Sequence, residues 1–150
     1  MIIIVEGPDG AGKTTLIQNM FKNAGICSVA EKDTQEFEYE MKKLMHHKSD
    51  KIVMYDRSWY SEMVYGKHWR DKPVISLEDM IRLEQIWLNC GGGFIIYCTG
   101  DPEVMYNRRQ KNTHDENNKD YERYVRVCEE YDKLMLETPH LIPVFKYVYN

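Results

Sequence analysis

Two short stretches of the chain carry residue types whose spacing could do chemistry. Gly7-Pro8-Asp9-Gly10-Ala11-Gly12-Lys13-Thr14 fits the pattern G-x-x-x-x-G-K-[ST]. In that pattern the glycines turn successive backbone N–H groups inward around a polyphosphate, because only glycine takes φ > 0 without a Cβ penalty. Lys13 would sit on the β- and γ-phosphates, and the Thr14 hydroxyl would ligate Mg²⁺. The second stretch is Asp56-Arg57, directly after the apolar run Lys51–Tyr55. An acid there can bind Mg²⁺ directly or through water, and the adjacent arginine can clamp a second anion in line with the nucleotide. The competing account is a structural Asp–Arg pair capping the helix that follows.

Such residues need elements to hold them. Met1–Glu6 reads as a strand feeding the glycine-rich octet, and Lys13 to Asn23 as a helix whose positive N-terminal end faces the anion. Ile26–Glu31 is a weaker strand, Thr34–Lys48 a helix, Lys51–Tyr55 a strand ending in Asp56, and Arg57–Lys67 a helix. Ser76-Leu77-Glu78-Asp79 resembles a capping box opening another helix, which Gly91-Gly92-Gly93 ends. Glu84 falls near the apolar stripe of that helix and reads as a paired structural acid. Phe94–Cys98 is a buried strand, and Asp101-Pro102-Glu103 opens a short helix through Arg109. Gln110–Lys119 has no apolar anchor and reads as a mobile surface loop. Asp120–Leu136 is a long amphipathic helix, with a last strand near Leu141–Tyr149. Apolar runs alternating with helix-period segments predict an α/β, three-layer sandwich around a five-stranded parallel sheet. In such sheets ligands sit at the carboxyl ends of the strands, where the informative polar residues fall.

Composition narrows the classes. At 150 residues the chain is expected to form a single domain, 1–150, with a sizeable core. A net charge of −4 provides no basic footprint for nucleic acid, so an anionic substrate must be met by locally placed cations. No apolar run approaches the roughly 18 residues of a membrane span, and the N-terminal run lacks the basic leader of a secretory signal. Cys27, Cys90, Cys98 and Cys128 are scattered without a C-x-x-C pair, which argues against zinc or a disulfide framework and suits the reducing cytoplasm. His46 and His47 are adjacent, so on a helix they diverge, and they read as exposed histidines near its end.

Taken together, Glu6 to Thr15, then Asp56-Arg57 with Ser61 and Tyr65 in a D-R-x-x-x-S-x-x-x-Y spacing, resemble the thymidylate kinase group of P-loop kinases. The chain is also similar to small phage-encoded deoxynucleoside monophosphate kinases. Asp101-Pro102-Glu103 followed by Arg108 and Arg109 resembles the helix leading into that family's lid, and Arg126 to Tyr131 the helix after it. The resemblance implies a nucleoside monophosphate kinase-like P-loop topology with a short lid at about 108–120. It implies ATP- and Mg²⁺-dependent phosphoryl transfer to a deoxynucleoside monophosphate, a small-molecule nucleotide substrate, and a homodimer packed through helices. It places ATP on Gly7, Asp9, Gly10, Ala11, Gly12, Lys13, Thr14, Thr15 and Arg108, and Mg²⁺ on Thr14 and Asp56. Arg57 would hold the acceptor phosphate, with Arg70 as a second choice. Asp9 would meet the sugar 3′-hydroxyl or orient an arginine, and Tyr65 would pack against the deoxyribose. Phe37 is the candidate for stacking on the base, although an aromatic at helical spacing is more often core. The family draws a catalytic arginine from the phosphate loop or the lid; the loop position here is Gly10, so Arg108 or Arg109 must supply it, with Lys111 and Lys119 in reserve. The competing account of that pair is a solvated, salt-bridged helix end.

The segment Glu31 to Phe37 stands where the family carries a Glu-Pro-Gly-Gly-type stretch, and Gly66 follows Tyr65 in place of a common glutamine. The base is therefore left open. A deoxynucleoside kinase carries a variant of the second motif that Asp56-Arg57-Ser58 echoes, with Glu31 where its general base would stand. A nucleotide-binding regulatory module without catalysis is the remaining alternative.

Overall fold

The computed structural model describes residues 1–22, 25–28, 36–47, 51–69, 74–110 and 119–149. Five strands, β1 (Ile2–Glu6), β2 (Gly25–Ser28), β3 (Val53–Asp56), β4 (Gly93–Thr99) and β5 (Val144–Val148), form one sheet in the order β2-β3-β1-β4-β5. Every pairing is parallel. Successive side chains of β1 point to opposite faces, and each face meets its own core. Ile2 and Ile4 join Tyr55, Trp59, Trp87, Ile95 and Tyr97 on one side. Ile3 and Val5 join Leu16, Met54, Ile96, Cys98 and Tyr124 on the other. A central strand covered on both faces has no polar side to show, which is why it reads as an unbroken apolar run.

Helices α1 (Lys13–Met20), α2 (Phe37–Met45), α3 (Trp59–Trp69), α4 (Leu77–Asn89), α5 (Pro102–Gln110) and α6 (Lys119–Asp132) supply the outer layers. Ser76 caps α4 as its spacing predicts: its hydroxyl accepts from the Asp79 N–H at 3.1 Å, and Asp79 accepts from the Ser76 N–H at 3.2 Å. Two boundaries differ instructively from the sequence reading. The helix expected from Arg57 starts at Trp59, because Arg57 takes a left-handed backbone with φ of 72°. The helix expected to run to Leu136 changes to a π-helical turn over Lys133–Glu137. The strand expected to reach Glu31 is described only to Ser28. Gln110–Lys119, the expected loop, lies outside the described residues from 111 to 118. Among the described residues no helix is long and apolar enough to cross a membrane.

Glu84 is fully buried, and its partners explain why. Its carboxylate accepts from the Tyr60 hydroxyl at 2.6 Å and the Leu141 N–H at 2.8 Å. His140 Nδ1 faces it at 2.6 Å, while His140 Nε2 faces the Leu134 carbonyl at 2.6 Å. Both partners offer acceptor oxygens, an arrangement that favours protons on both ring nitrogens of His140. Burial by itself lowers its pKa, but the Glu84 and Leu134 hydrogen bonds and the Glu84 charge together raise it above the usual histidine value. A pKa raised on folding contributes stability in full below the unfolded value of about 6.5, and that contribution is lost as pH rises through the folded value. The thermal unfolding midpoint is therefore expected to fall as pH is raised above neutrality, with a flatter profile in His140→Gln. A tenfold difference in proton affinity between folded and unfolded chains is worth about 1.4 kcal/mol. Superimposable wild-type and variant pH profiles would refute the assignment.

Candidate active site

The carboxyl ends of β1 and β3 lie side by side, with Val5 in register with Asp56. The glycine-rich octet leaves β1 there and runs into α1, whose first residue is Lys13. Lys13 is buried, and its Nζ donates to the carbonyls of Gly7 at 2.8 Å and Pro8 at 2.9 Å, folding the loop around the ammonium. Burial lowers its pKa, opposed by the negative charges of Glu6 and Asp56. Thr14 is exposed and Thr15 half-buried on the first turn of α1. Asp56 is half-buried at the end of β3, its pKa raised by burial against the pull of Lys13. A hydroxyl and a carboxylate are hard oxygen donors, and Mg²⁺ in nucleotide sites takes one or two such groups beside phosphate oxygens and water. Thr14 and Asp56 fit that ion.

Gly10 has φ of 84°, and a Cβ built on it would lie 2.2 Å from the Met105 carbonyl of α5. The loop touches α5 backbone to backbone at this point. Arg108, one turn further along α5, returns to the same place and donates from Nη1 to the Gly10 carbonyl at 3.0 Å, with its guanidinium 4.6 Å from the Tyr149 ring centroid.

Arg57 reaches the loop from the other side. Its N–H donates to Val5 O at 2.9 Å, its guanidinium pairs with the Asp9 carboxylate, and it lies 5.6 Å from the Tyr65 ring centroid. Asp9, Tyr65, Arg109, Asp120, Tyr124 and Val127 line a cavity of about 240 Å³ beside it. Loop, α3, α5 and α6 thus line one open pocket, with the Arg57 guanidinium beside it, paired with Asp9 of the phosphate loop.

Of the residues singled out from the sequence, Lys13, Asp9, Arg57, Tyr65 and Arg108 come together here. Arg109 differs from Arg108 in its contacts: its Nη1 donates to Asp120 at 2.5 Å, tying α5 to α6 in the wall of the cavity, as the salt-bridged account of the pair has it. Phe37 also differs from the expected base platform. It opens α2 packed against the core, with the Arg82 guanidinium 5.8 Å from its ring centroid. Arg70, Glu31 and Lys111 lie outside the described residues.

Sequence reasoning missed Glu6. This side chain is fully buried, and its Oε1 accepts from Ser58 N at 2.7 Å, Ser58 Oγ at 3.1 Å and Ser61 N at 3.2 Å. Its Oε2 accepts from Ser61 Oγ at 2.7 Å and the Tyr131 hydroxyl at 3.3 Å. Burial raises its pKa, against the hydrogen bond from Ser61 and the charge of Arg57. The available signal was an acid ending an otherwise apolar central strand, since a buried carboxylate is costly unless hydrogen-bonded. Tyr124, whose hydroxyl donates to the Asp9 carbonyl, was legible only as part of an amphipathic stripe.

The overall fold has counterparts among solved structures. The YorR protein from Bacillus subtilis, in complex with phosphorylated GDP, is similar with a TM-score of 0.76 at 22% identity, over 99% of this chain and 85% of that one. Deoxyadenosine kinase from M. mycoides with bound dATP gives 0.65 at 17% identity, over 99% and 91%. The same enzyme with the products dCMP and dCDP gives 0.59 at 16%, over 98% and 90%. At these identities the likeness shows a shared α/β fold. No protein-family model matches the chain, and no curated protein matches it in sequence.

Proposed function

We propose that the chain transfers the γ-phosphoryl group of Mg-ATP to a deoxynucleoside monophosphate, giving the diphosphate. The observation that carries this reading is the placement of Arg57, a guanidinium paired with Asp9 of the phosphate loop and facing Tyr65, two residues that line the neighbouring pocket. A cation there suits an acceptor that arrives with its own negative charge. Phosphoryl transfer has a loose transition state, so the protein's work is to align two anions and neutralise their charge. The acceptor phosphate oxygen is already a nucleophile and needs no base. Lys13 and the loop amides would hold the donor phosphates, Arg57 the acceptor phosphate, and Arg108 would bring positive charge over the loop from α5. Mg²⁺, held by Thr14 and Asp56, would neutralise phosphate charge as a Lewis acid. Tyr65 would close the sugar side of the pocket. The second motif gives the reading its thymidylate-kinase-like character; the identity of the base is no part of it.

Similarity in fold to a deoxyadenosine kinase keeps one second reading, transfer to a neutral 5′-hydroxyl. That acceptor needs a general base, for which Glu31 is the candidate. One experiment separates these readings: incubation with ATP and Mg²⁺ against a panel of deoxynucleosides and their monophosphates, with products resolved by chromatography. Diphosphate products are expected. Phosphorylation of nucleosides alone, abolished in Glu31→Gln, would replace the proposal with the second reading. Turnover of no acceptor would leave a nucleotide-binding module.

A further inference from the structure

We infer that Glu6 is a positioning residue for phosphoryl transfer, acting through Arg57. The inference rests on the functional reading above and extends it to a side chain that touches neither nucleotide.

Helix α3 begins with backbone N–H groups that have no partner inside the helix. A side chain at the helix's own N-cap usually satisfies them. Here the N-cap Ser58 Oγ accepts from Tyr60 N at 3.5 Å, and Ser58 N and Ser61 N donate in addition to Glu6, which belongs to β1 and immediately precedes Gly7 of the phosphate loop. The same carboxylate takes both serine hydroxyls and the Tyr131 hydroxyl, so it joins the loop strand, α3 and α6 at one point.

Arg57 hangs between the two ends of this clamp. Its own N–H is fixed to Val5, the residue before Glu6, and its successor Ser58 is fixed to Glu6 itself. Among the described residues it alone, apart from glycines, has a positive φ, at 72°. An L-residue holds that conformation only when its surroundings over-determine it. With the clamp in place, the arginine leaves the backbone toward Asp9 and Tyr65. Without it, residue 57 can relax to the ordinary helical region and α3 can start one turn earlier, turning the guanidinium off the pocket. Glu6 therefore fixes the separation between the loop and the acceptor-binding cation.

The test compares Glu6→Ala with Glu6→Gln at 10 °C, below the unfolding range of both. In Glu6→Ala, acceptor kcat/KM is expected to fall at least about 30-fold while Mg-ADP affinity stays within about threefold. Glu6→Gln should return acceptor kcat/KM to within about threefold of wild type. Its amide oxygen still receives the two N–H groups, and its NH₂ donates to the hydroxyls. A crystal structure of Glu6→Ala should show residue 57 out of the left-handed region. If Glu6→Ala does not fold, Glu6→Asp, too short to hold all five contacts, takes its place with the same expectations. Wild-type acceptor kinetics with only a lowered unfolding temperature, or φ at residue 57 unchanged in the variant crystal, would overturn the inference. If the wild-type protein phosphorylates no acceptor, the functional reading fails; the crystal structure still decides whether Glu6 sets the backbone at Arg57.

Discussion

Arg57→Ala is expected to lower kcat/KM for the monophosphate acceptor by roughly 10³-fold, about 4 kcal/mol of transition-state stabilisation. Mg-ADP affinity should change little, because on the proposed reading the donor phosphates would be held by loop amides and Lys13. The guanidinium faces Asp9 and Tyr65 at once, so its loss removes a charge from the pocket and frees Asp9, whose negative charge then repels the incoming phosphate. Arg57→Lys should recover less than a tenth of the lost rate. An ammonium is a point charge that cannot span a carboxylate and a phosphate as a planar fork can. Steady-state kinetics with acceptor varied, alongside calorimetric titration of Mg-ADP, separates the two sites. Equal loss in both would mean that Arg57 supports the loop instead of the acceptor.

Gly10→Ala should be comparably damaging on the donor side. Its added Cβ would stand 2.2 Å from the Met105 carbonyl carbon's oxygen and 3.3 Å from the Arg109 nitrogen, both backbone atoms of α5. At φ of 84° a side chain is also strained in itself. Left-handed strain of about 1–2 kcal/mol adds to an overpacking cost of about 1–3 kcal/mol. Because Arg108 reaches the Gly10 carbonyl, any retreat of the loop also breaks that contact. Mg-ADP affinity is expected to fall at least about 100-fold, with a lowered unfolding midpoint. Unchanged affinity would show that the loop adapts. The same contact leaves no room for a long side chain at this position: the backbone of α5 occupies the space.

What could be read from the residues beforehand was whatever is local. The octet after β1 is a contiguous pattern, the unbroken apolar run of β1 follows from burial on both faces, and the Ser76 capping box needs only its own four residues. The Asp56-Arg57 pair was visible as chemistry, but its backbone was not. A left-handed arginine is imposed by partners at Val5 and Glu6, far away in sequence, and no propensity signals it. Arg108 and Arg109 looked equivalent because a pair of basic residues at a helix end gives no direction; only the placement of Gly10 and Asp120 tells them apart. Phe37 had the ring expected of a base platform, yet the core claimed it from α2. Glu6 looked like the end of a strand and is instead the point where three elements meet.

The backbone at residue 57 has a longer-term consequence. Thermal robustness and turnover pull this position in opposite directions, since a glycine there would relieve the strain and delete the guanidinium. In copies of the gene under no selection for the proposed phosphoryl transfer, drift toward glycine or asparagine at this codon is the expected scar.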